Sequence, residues 1–285
     1  MKNNFEALRD MAAFTEDMFN RIIAFQEQEH AAWNTALPFA QRIQGLPLHN
    51  LIFSNPDRDP QKFGPTVAPY YPLREEIQKF AWYAKQVAAR PMLCDLFPGN
   101  GFIGSLIGHE GIRVTGLQHP ELKPNQIQIF CDETCFAYSE QPLSLQQFDA
   151  VLVSWPPSGV NPSSLLAELQ AKLLIYVYTD HVEEASGLRQ TGSRDMLDAL
   201  QNDYREIDAW EVERPKDLLH EIWPDMTPSI EEVRKVRIFA HNSLDQLEPP
   251  RSLPPAQPYD WEKDLQMALL ALQAKRQVQA RGFPI

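Results

Sequence analysis

Three cysteines and twelve glycines in 285 residues exclude several kinds of protein at once. Cys94, Cys131 and Cys135 are odd in number and hold no Cys-x-x-Cys pair, so their spacing supports neither a disulfide framework nor a zinc site. Buried thiols are the better reading. No apolar stretch approaches the roughly 20 residues needed to span a bilayer, and the N-terminus lacks the basic region and short apolar core of a secretory signal. No membrane association and a cytoplasmic location are therefore expected. Positive charge is scarce as well: 26 Lys and Arg stand against 38 Asp and Glu, a formal net charge of −12. Nonspecific nucleic-acid affinity comes from clustered Lys and Arg, so this balance argues against nucleic acid as a partner. Two motifs are missing too. No Gly-Lys-Ser/Thr follows the glycines at 99 and 101, which excludes a triphosphatase phosphate loop, and the glycines flanking Ser105 are too far apart for a Gly-x-Ser-x-Gly nucleophile turn.

What is abundant is ordinary: 44% hydrophobic and 22% charged residues, enough to bury a globular core. Half of the 24 prolines fall in two stretches, 38–72 and 249–258. Residues 5–33 have neither Gly nor Pro and carry Leu8, Met11, Met18, Ile22 and Phe25 on one helical stripe, so a long amphipathic helix is expected there, packed on the domain or forming a homodimer contact. Pro38, Pro47, Pro56, Pro60 and Pro65 then punctuate an irregular strap. Segment 1–71 is read as this helix and strap, 72–245 as the main domain, and 246–285 as a proline-rich strap followed by a C-terminal helix over 260–279.

Within the main domain the pattern alternates. Helices are expected at 72–89, 102–109, 163–171 and 194–202, and strands at 92–97, 112–117, 127–131, 150–154 and 173–178. Strands at 205–213 and 233–241 follow without an intervening helix, which suits an antiparallel edge. The fold class is α/β: a mostly parallel twisted sheet with helices on both faces, an antiparallel edge, and helical extensions at both ends.

The stretch 92–104, Met-Leu-Cys-Asp-Leu-Phe-Pro-Gly-Asn-Gly-Phe-Ile-Gly, is an apolar strand, a glycine turn and a helix start. Gly99, Gly101 and Gly104 fit the dinucleotide spacing G-x-G-x-x-G, a weak signal by itself. Asp95 at the strand end disfavours a pyrophosphate there and with it an NAD-linked dehydrogenase. Cys94-Asp-Leu-Phe-Pro-Gly-Asn-Gly-Phe-Ile-Gly104 resembles the first motif of class I S-adenosylmethionine-dependent methyltransferases, in the D-x-F-x-G-x-G variant of several amino-group methyltransferases. The resemblance implies a Rossmann-like methyltransferase fold with S-adenosylmethionine as cofactor. It places Asp95, Phe97, Pro98, Gly99, Asn100 and Gly101 around the cofactor's methionine portion, with Tyr71 before the first helix near its carboxylate. The second strand should end in a ribose-binding acid, where this chain has Gln118, followed by His119; Glu121 is a substitute if the loop turns back. After the third strand, Cys131 and Asp132 would flank the adenine.

The fourth strand runs into Ser154-Trp-Pro-Pro-Ser158. Amino-group methyltransferases have Asp or Asn where Trp155 stands and an aromatic where Ser158 stands, and an indole cannot accept a hydrogen bond from an amine. The phrase is similar to a little-described methyltransferase-like group with a W-P-P turn, and Thr191-Gly-Ser193 and Trp210 fit that group loosely. Trp155 and Pro156 would wall the methyl-transfer site, Asp180 would serve as an acidic stand-in after the fifth strand, and His181 beside it is the general-base candidate. No metal ligand set is expected; His220, Glu221 and Asp225 have no paired spacing on one helix face. The resemblance thus implies methyl transfer to a small-molecule or protein acceptor. Gln118, Trp155 and Ser158 keep open a methyltransferase-like protein without catalysis that binds or regulates.

Overall fold

The computed structural model describes residues 20, 24, 27–43, 70, 72–118, 131–139, 146–182, 186–200, 202–213, 233–250, 270, 274 and 277–282. The chain divides into two compact units, one of Met1–Tyr71, Lys216–Ser229 and Gln257–Ile285, the other of Pro72–Pro215 and Ile230–Ala256.

In the first unit Asn20 and Ala24 are helical, as the N-terminal stripe predicts, but the helix does not reach residue 33. Gln28 turns left-handed at φ 64° and the Glu29 amide donates to the Ala24 carbonyl, the bonding of a Schellman stop. A 3₁₀ turn at Ala31–Trp33 follows, capped by His30 Nδ1, which accepts from the Ala32 amide. A short helix, α1, occupies Phe39–Ile43. The stripe from Leu8 to Met18, and Trp261, Leu265, Leu269 and Leu272 of the C-terminal helix, lie outside the described residues; Leu270, Ala274 and 277–280 within it are helical.

The second unit is the α/β body. Helix α2 (Arg74–Val87) begins after Pro72, carries Glu75 and Glu76 in its first turn and Lys85 in its last, and stops where Ala88 becomes extended ahead of Pro91. Its buried face, Ile77, Phe80, Ala81, Tyr83 and Ala84, recurs at helical spacing. Strand β1 (Met92–Asp95) leads through the glycine turn to α3 (Phe102–His109), then β2 (Arg113–Gly116), β3 (Phe136–Tyr138), β4 (Ala150–Ser154), α4 (Ser163–Leu169), β5 (Leu173–Thr179), α5 (Met196–Leu200), β6 (Tyr204–Glu213) and β7 (Val233–His241). One seven-stranded sheet has the order β3-β2-β1-β4-β5-β7-β6. The first five strands are parallel and β7 joins β5 and β6 antiparallel. This is the mostly parallel sheet with an antiparallel edge expected of a Rossmann-like methyltransferase fold.

Pairing fixes which residues share a face. Asp95 sits opposite Leu152 and Leu152 opposite Ile175, so these three face the same way, with Ser154 and Thr179 further along. On the other face Cys94, Val151, Val153, Leu174, Tyr176 and Phe239 pack with Leu166 and Leu169 of α4 and Met196 and Leu200 of α5. Glu76 of α2 is buried against the antiparallel edge. It accepts from Trp210 Nε1 at 3.2 Å and from the Leu73 amide at 3.0 Å, and it pairs with the guanidinium of Arg234. Removing one member of such a pair strands the other charge, at about 3–5 kcal/mol.

The third strand departs from the sequence reading. Cys131 lies in a loop, 127–130 are outside the described residues, and β3 is Phe136–Tyr138. The reason is a slot for one ring. Ideal Cβ atoms built on Gly101, Gly104 and Gly116 would stand 2.8, 2.6 and 2.6 Å from the Phe136 ring, so the three glycines together make the space that ring fills. No helix among the described residues is long and apolar enough to cross a membrane.

Gly104→Ala is expected to lower the unfolding free energy by roughly 1–3 kcal/mol, the usual size of overpacking. In urea titrations the same substitution should cost less in a Phe136→Leu background. Strictly additive losses would show that the ring and the glycines do not share one slot.

Candidate functional site

The strand order reverses its direction of growth between β1 and β4, and ligands of open α/β sheets bind beyond the carboxyl ends of the strands at that reversal. Asp95 is the last residue of β1 and lies there, 1% exposed. Its Oδ1 accepts from the Phe97 amide at 3.2 Å, while Oδ2 is buried and has no hydrogen-bond partner. Burial pushes the carboxyl up to about 7, and the Phe97 amide pulls weakly the other way. A buried acceptor without a donor is expensive and ordinarily marks strain or an absent ligand.

The turn is built around this group. Gly99 is left-handed at φ 55° and a Cβ there would meet nothing within 4 Å, so its outer side is open. Gly101 is also left-handed, at φ 82°, but its missing side chain makes room for Cys131 and Phe136 rather than for a ligand. Asn100 is buried, its Oδ1 accepting from the Phe102 amide at the start of α3. Phe97 and Pro98 are half-buried, and Pro98 packs where Gly116 lacks a side chain. Tyr138, at the end of β3, donates from its hydroxyl to the Gly99 carbonyl at 2.7 Å and thereby lies across the turn. Sequence reasoning missed Tyr138. The available signal was the alternation of Phe136 and Tyr138, which is too short to announce a strand.

Gln118 follows β2 and is exposed. Tyr71, His119 and Glu121 lie outside the described residues. Cys131 packs beside Gly101, near the turn. Asp132 goes elsewhere: its Oδ1 accepts from the amide and hydroxyl of Thr134 and its Oδ2 is 2.7 Å from His109 Nε2, at the far end of α3. The strand-end position that the sequence reading gave to Asp132 belongs to Ser139, whose amide donates to the Gly116 carbonyl.

At the end of β4, Ser154 is buried on the Asp95 face. Trp155 is buried and left-handed at φ 52°, unusual for a bulky residue, all the more so before a proline. Strain of this kind is worth about 1–3 kcal/mol and gathers at functional sites. Its amide donates to the Val177 carbonyl. The segment after β5 folds back to support the turn that follows Trp155. Val182 bridges Arg189, the Gly192 amide donates to the carbonyls of Pro156 at 3.0 Å and Pro157 at 3.2 Å, and the Ser158 hydroxyl donates to the Arg189 carbonyl. The buried hydroxyl of Thr191 donates to the Thr179 carbonyl and accepts from the Thr179 amide. Residues 191–193 and the W-P-P turn are thus one structure, which their separation in sequence conceals. Asp180 ties it down through Arg189 at 3.1 Å and Lys235 at 2.8 Å. His181 is half-buried beside it, its backbone carbonyl accepting from the Gln190 amide.

No protein-family model and no curated protein matches the chain. Solved structures with a similar backbone include a 1,6-didemethyltoxoflavin-N1-methyltransferase of Burkholderia thailandensis with S-adenosylhomocysteine bound, 16% identical, covering 58% of this chain and 77% of that one at a TM-score of 0.37. The N-methyltransferase NodS of Bradyrhizobium japonicum is 12% identical, with coverage of 59% and 95% and a TM-score of 0.42. A magnesium protoporphyrin IX methyltransferase of Synechocystis is 11% identical, with coverage of 59% and 82% and a TM-score of 0.37.

Asp95 gives the site a pH signature. Its folded pKa, about 7, lies above the unfolded value of 3.8, so the folded state holds the extra proton between them and stability falls as pH rises through that window. In urea unfolding without ligand, the protein should lose about 2 kcal/mol between pH 5 and pH 7 from this group. Asp95→Asn should remove that slope, and an unchanged slope would show that Asp95 does not titrate in this range.

Proposed function

We propose that the chain is a cytoplasmic methyltransferase that binds S-adenosylmethionine over the turn at 95–104 and serves a small-molecule or protein acceptor. The observation that carries this reading is the buried, donor-less Oδ2 of Asp95 at the switch point of the sheet, at the start of the turn that carries Gly99. A carboxylate in that position suits an ammonium donor and opposes a phosphate, which favours an amino-acid-bearing cofactor over a dinucleotide. The residues present fit the group. Asp95 would hold the amino group. Phe97, Pro98, Gly99, Asn100 and Gly101 would form the floor beneath it, with Tyr71 near the carboxylate. Gln118 and His119 would take the ribose, and Cys131, Ser139 and Ser154 would flank the base side; Asp132, engaged by His109 and Thr134, leaves the set.

When bound, the cofactor supplies a methyl group on a sulfonium sulfur. This chain's own contribution is positioning, which can account for most of such a displacement without a catalytic triad. Trp155 and Pro156 form a rigid wall, held by the Val177 carbonyl and the Gly192 amide. Asp180, fixed between Arg189 and Lys235, holds the adjoining segment and positions His181, the candidate to accept an acceptor's proton.

One observation favours a second reading, a cofactor-binding protein without transfer activity. The Pro156 carbonyl corresponds to the backbone group that holds the target nitrogen in amino-group methyltransferases, and here it already accepts from the Gly192 amide. Together with the missing Asp or Asn at 155, this disfavours an adenine or glutamine acceptor in particular.

Thermal-shift titrations with S-adenosylmethionine, S-adenosylhomocysteine and NAD test the cofactor. Ligand at about 100 times its dissociation constant should add about 2.7 kcal/mol of stability. Because the ammonium needs an ionised partner, affinity should fall by up to about tenfold per pH unit below 7, and Asp95→Asn should both weaken binding and flatten that dependence. Stabilisation by NAD alone, or no response to S-adenosylmethionine at millimolar levels, would overturn the proposal.

A further inference from the structure

At the end of α3 remote from the cofactor turn, three side chains converge that the methyl-transfer reading does not use. His109 is the last residue of α3, Asp132 and Cys135 bracket the turn before β3, and a ligand atom from each lies within 4.8 Å of the others. The segment is seated on the helix by the Asp132 amide, which donates to Ser105 Oγ at 2.8 Å. Gly108 is required there, because a Cβ on it would stand 2.4 Å from Cys135 Sγ. Each ligand is also oriented. One carboxylate oxygen of Asp132 is occupied by the Thr134 amide and hydroxyl, which turns the other toward His109 Nε2. The thiol of Cys135 points back along the helix toward the carbonyls of Ser105 and Asp132, at 3.7 Å from each.

We propose that His109, Asp132 and Cys135 form a three-ligand site for a zinc ion, with solvent in the fourth position. One imidazole nitrogen, one carboxylate oxygen and one thiolate are the ligand types zinc takes, and two anionic ligands balance its charge. Bond lengths of about 2.0–2.3 Å place tetrahedral ligand atoms roughly 3.3–3.7 Å apart. The contact of His109 with Asp132, 2.7 Å without metal, must open by less than an ångström, which the half-exposed end of a helix allows. On binding, zinc takes the place of the thiol proton, which leaves to solvent, and His109 coordinates through Nε2 as a neutral imidazole with its proton on Nδ1. The Thr134 contacts remain as the outer support that metal-bound carboxylates ordinarily have. The site would clamp residues 131–135 to α3, and with them Cys131 and Phe136, on which the turn at Gly101 rests. The inference stands whether or not the protein binds S-adenosylmethionine.

The test uses the full chain, stripped with a chelator and titrated with Co²⁺ as a spectroscopic probe, then with Zn²⁺ in competition. One cobalt per chain should bind with tetrahedral d–d bands and a thiolate-to-metal charge-transfer band. Cys135→Ser should abolish the charge-transfer band and Cys131→Ser should keep it; His109→Ala and Asp132→Ala should each weaken binding at least about tenfold. X-ray absorption of the zinc-loaded parent protein, which needs no variant to fold, should read one sulfur and the rest nitrogen or oxygen. The proposal is overturned by a zinc shell without sulfur, by the absence of a charge-transfer band in the parent, or by Cys135→Ser binding cobalt as tightly as the parent.

Discussion

A carboxyl group buried at the end of the central strand is the constraint around which the rest of this protein is arranged. Asp95 has one oxygen on the Phe97 amide and another on nothing, in a position as buried as the apolar core around it. The ionised group is unfavourable there, and the neutral one still lacks a partner for Oδ2. A fold that only needed stability would place a Val or Ile at this point of a parallel sheet. The reversal of strand order lies at the strand that Asp95 ends, and the glycine turn follows directly on it. A cationic donor at Oδ2 would remove the penalty, so affinity for such a donor and instability without it would have one physical origin.

Around Asp95 the glycines divide their work. Gly99 leaves space outward, whereas Gly101 and Gly104, with Gly116 of β2, leave space inward for the ring of Phe136. The G-x-G-x-x-G spacing therefore records mainly how a helix and a short edge strand approach each other, and only at its first member is the side-chain space open rather than filled by the protein. That division explains why a glycine triplet alone says little about the cofactor. The residue that does speak to it is the acid ahead of the triplet. On the far side, the Trp155 amide on the Val177 carbonyl and the Gly192 amide on the Pro156 and Pro157 carbonyls tie the W-P-P turn to β5 and to the segment after it.

Much of this was legible in the chain because it is local. The continuous apolar run Ala150–Ser154 and the helix Phe102–His109 carry their own periodicity and emerge with the boundaries that the sequence predicts. The edge strands at 204–213 and 233–241 were equally visible as long alternating runs. Phe136–Tyr138 was not, because three residues give no period and the slot that selects them is made by glycines on other elements. Distance in sequence also hid the rest of the site. Residues 191–193 support a turn beginning at Trp155, and His109 meets Asp132 across 23 positions, pairings that exist only after the sheet has formed. The N-terminal helix ends short of the helical pattern in the sequence, because nothing in Glu27-Gln28-Glu29 announces the left-handed stop that the backbone takes at Gln28.

The central claim is that the unpartnered oxygen of Asp95 receives the amino group of S-adenosylmethionine, and a crystal structure of the protein with S-adenosylhomocysteine measures it most directly. The account predicts ligand density over Gly99 with its amino nitrogen about 3 Å from Asp95 Oδ2, the distance of a charge-assisted hydrogen bond. Ligand bound away from β1, or seated on the turn with Asp95 Oδ2 still unpartnered, would contradict it.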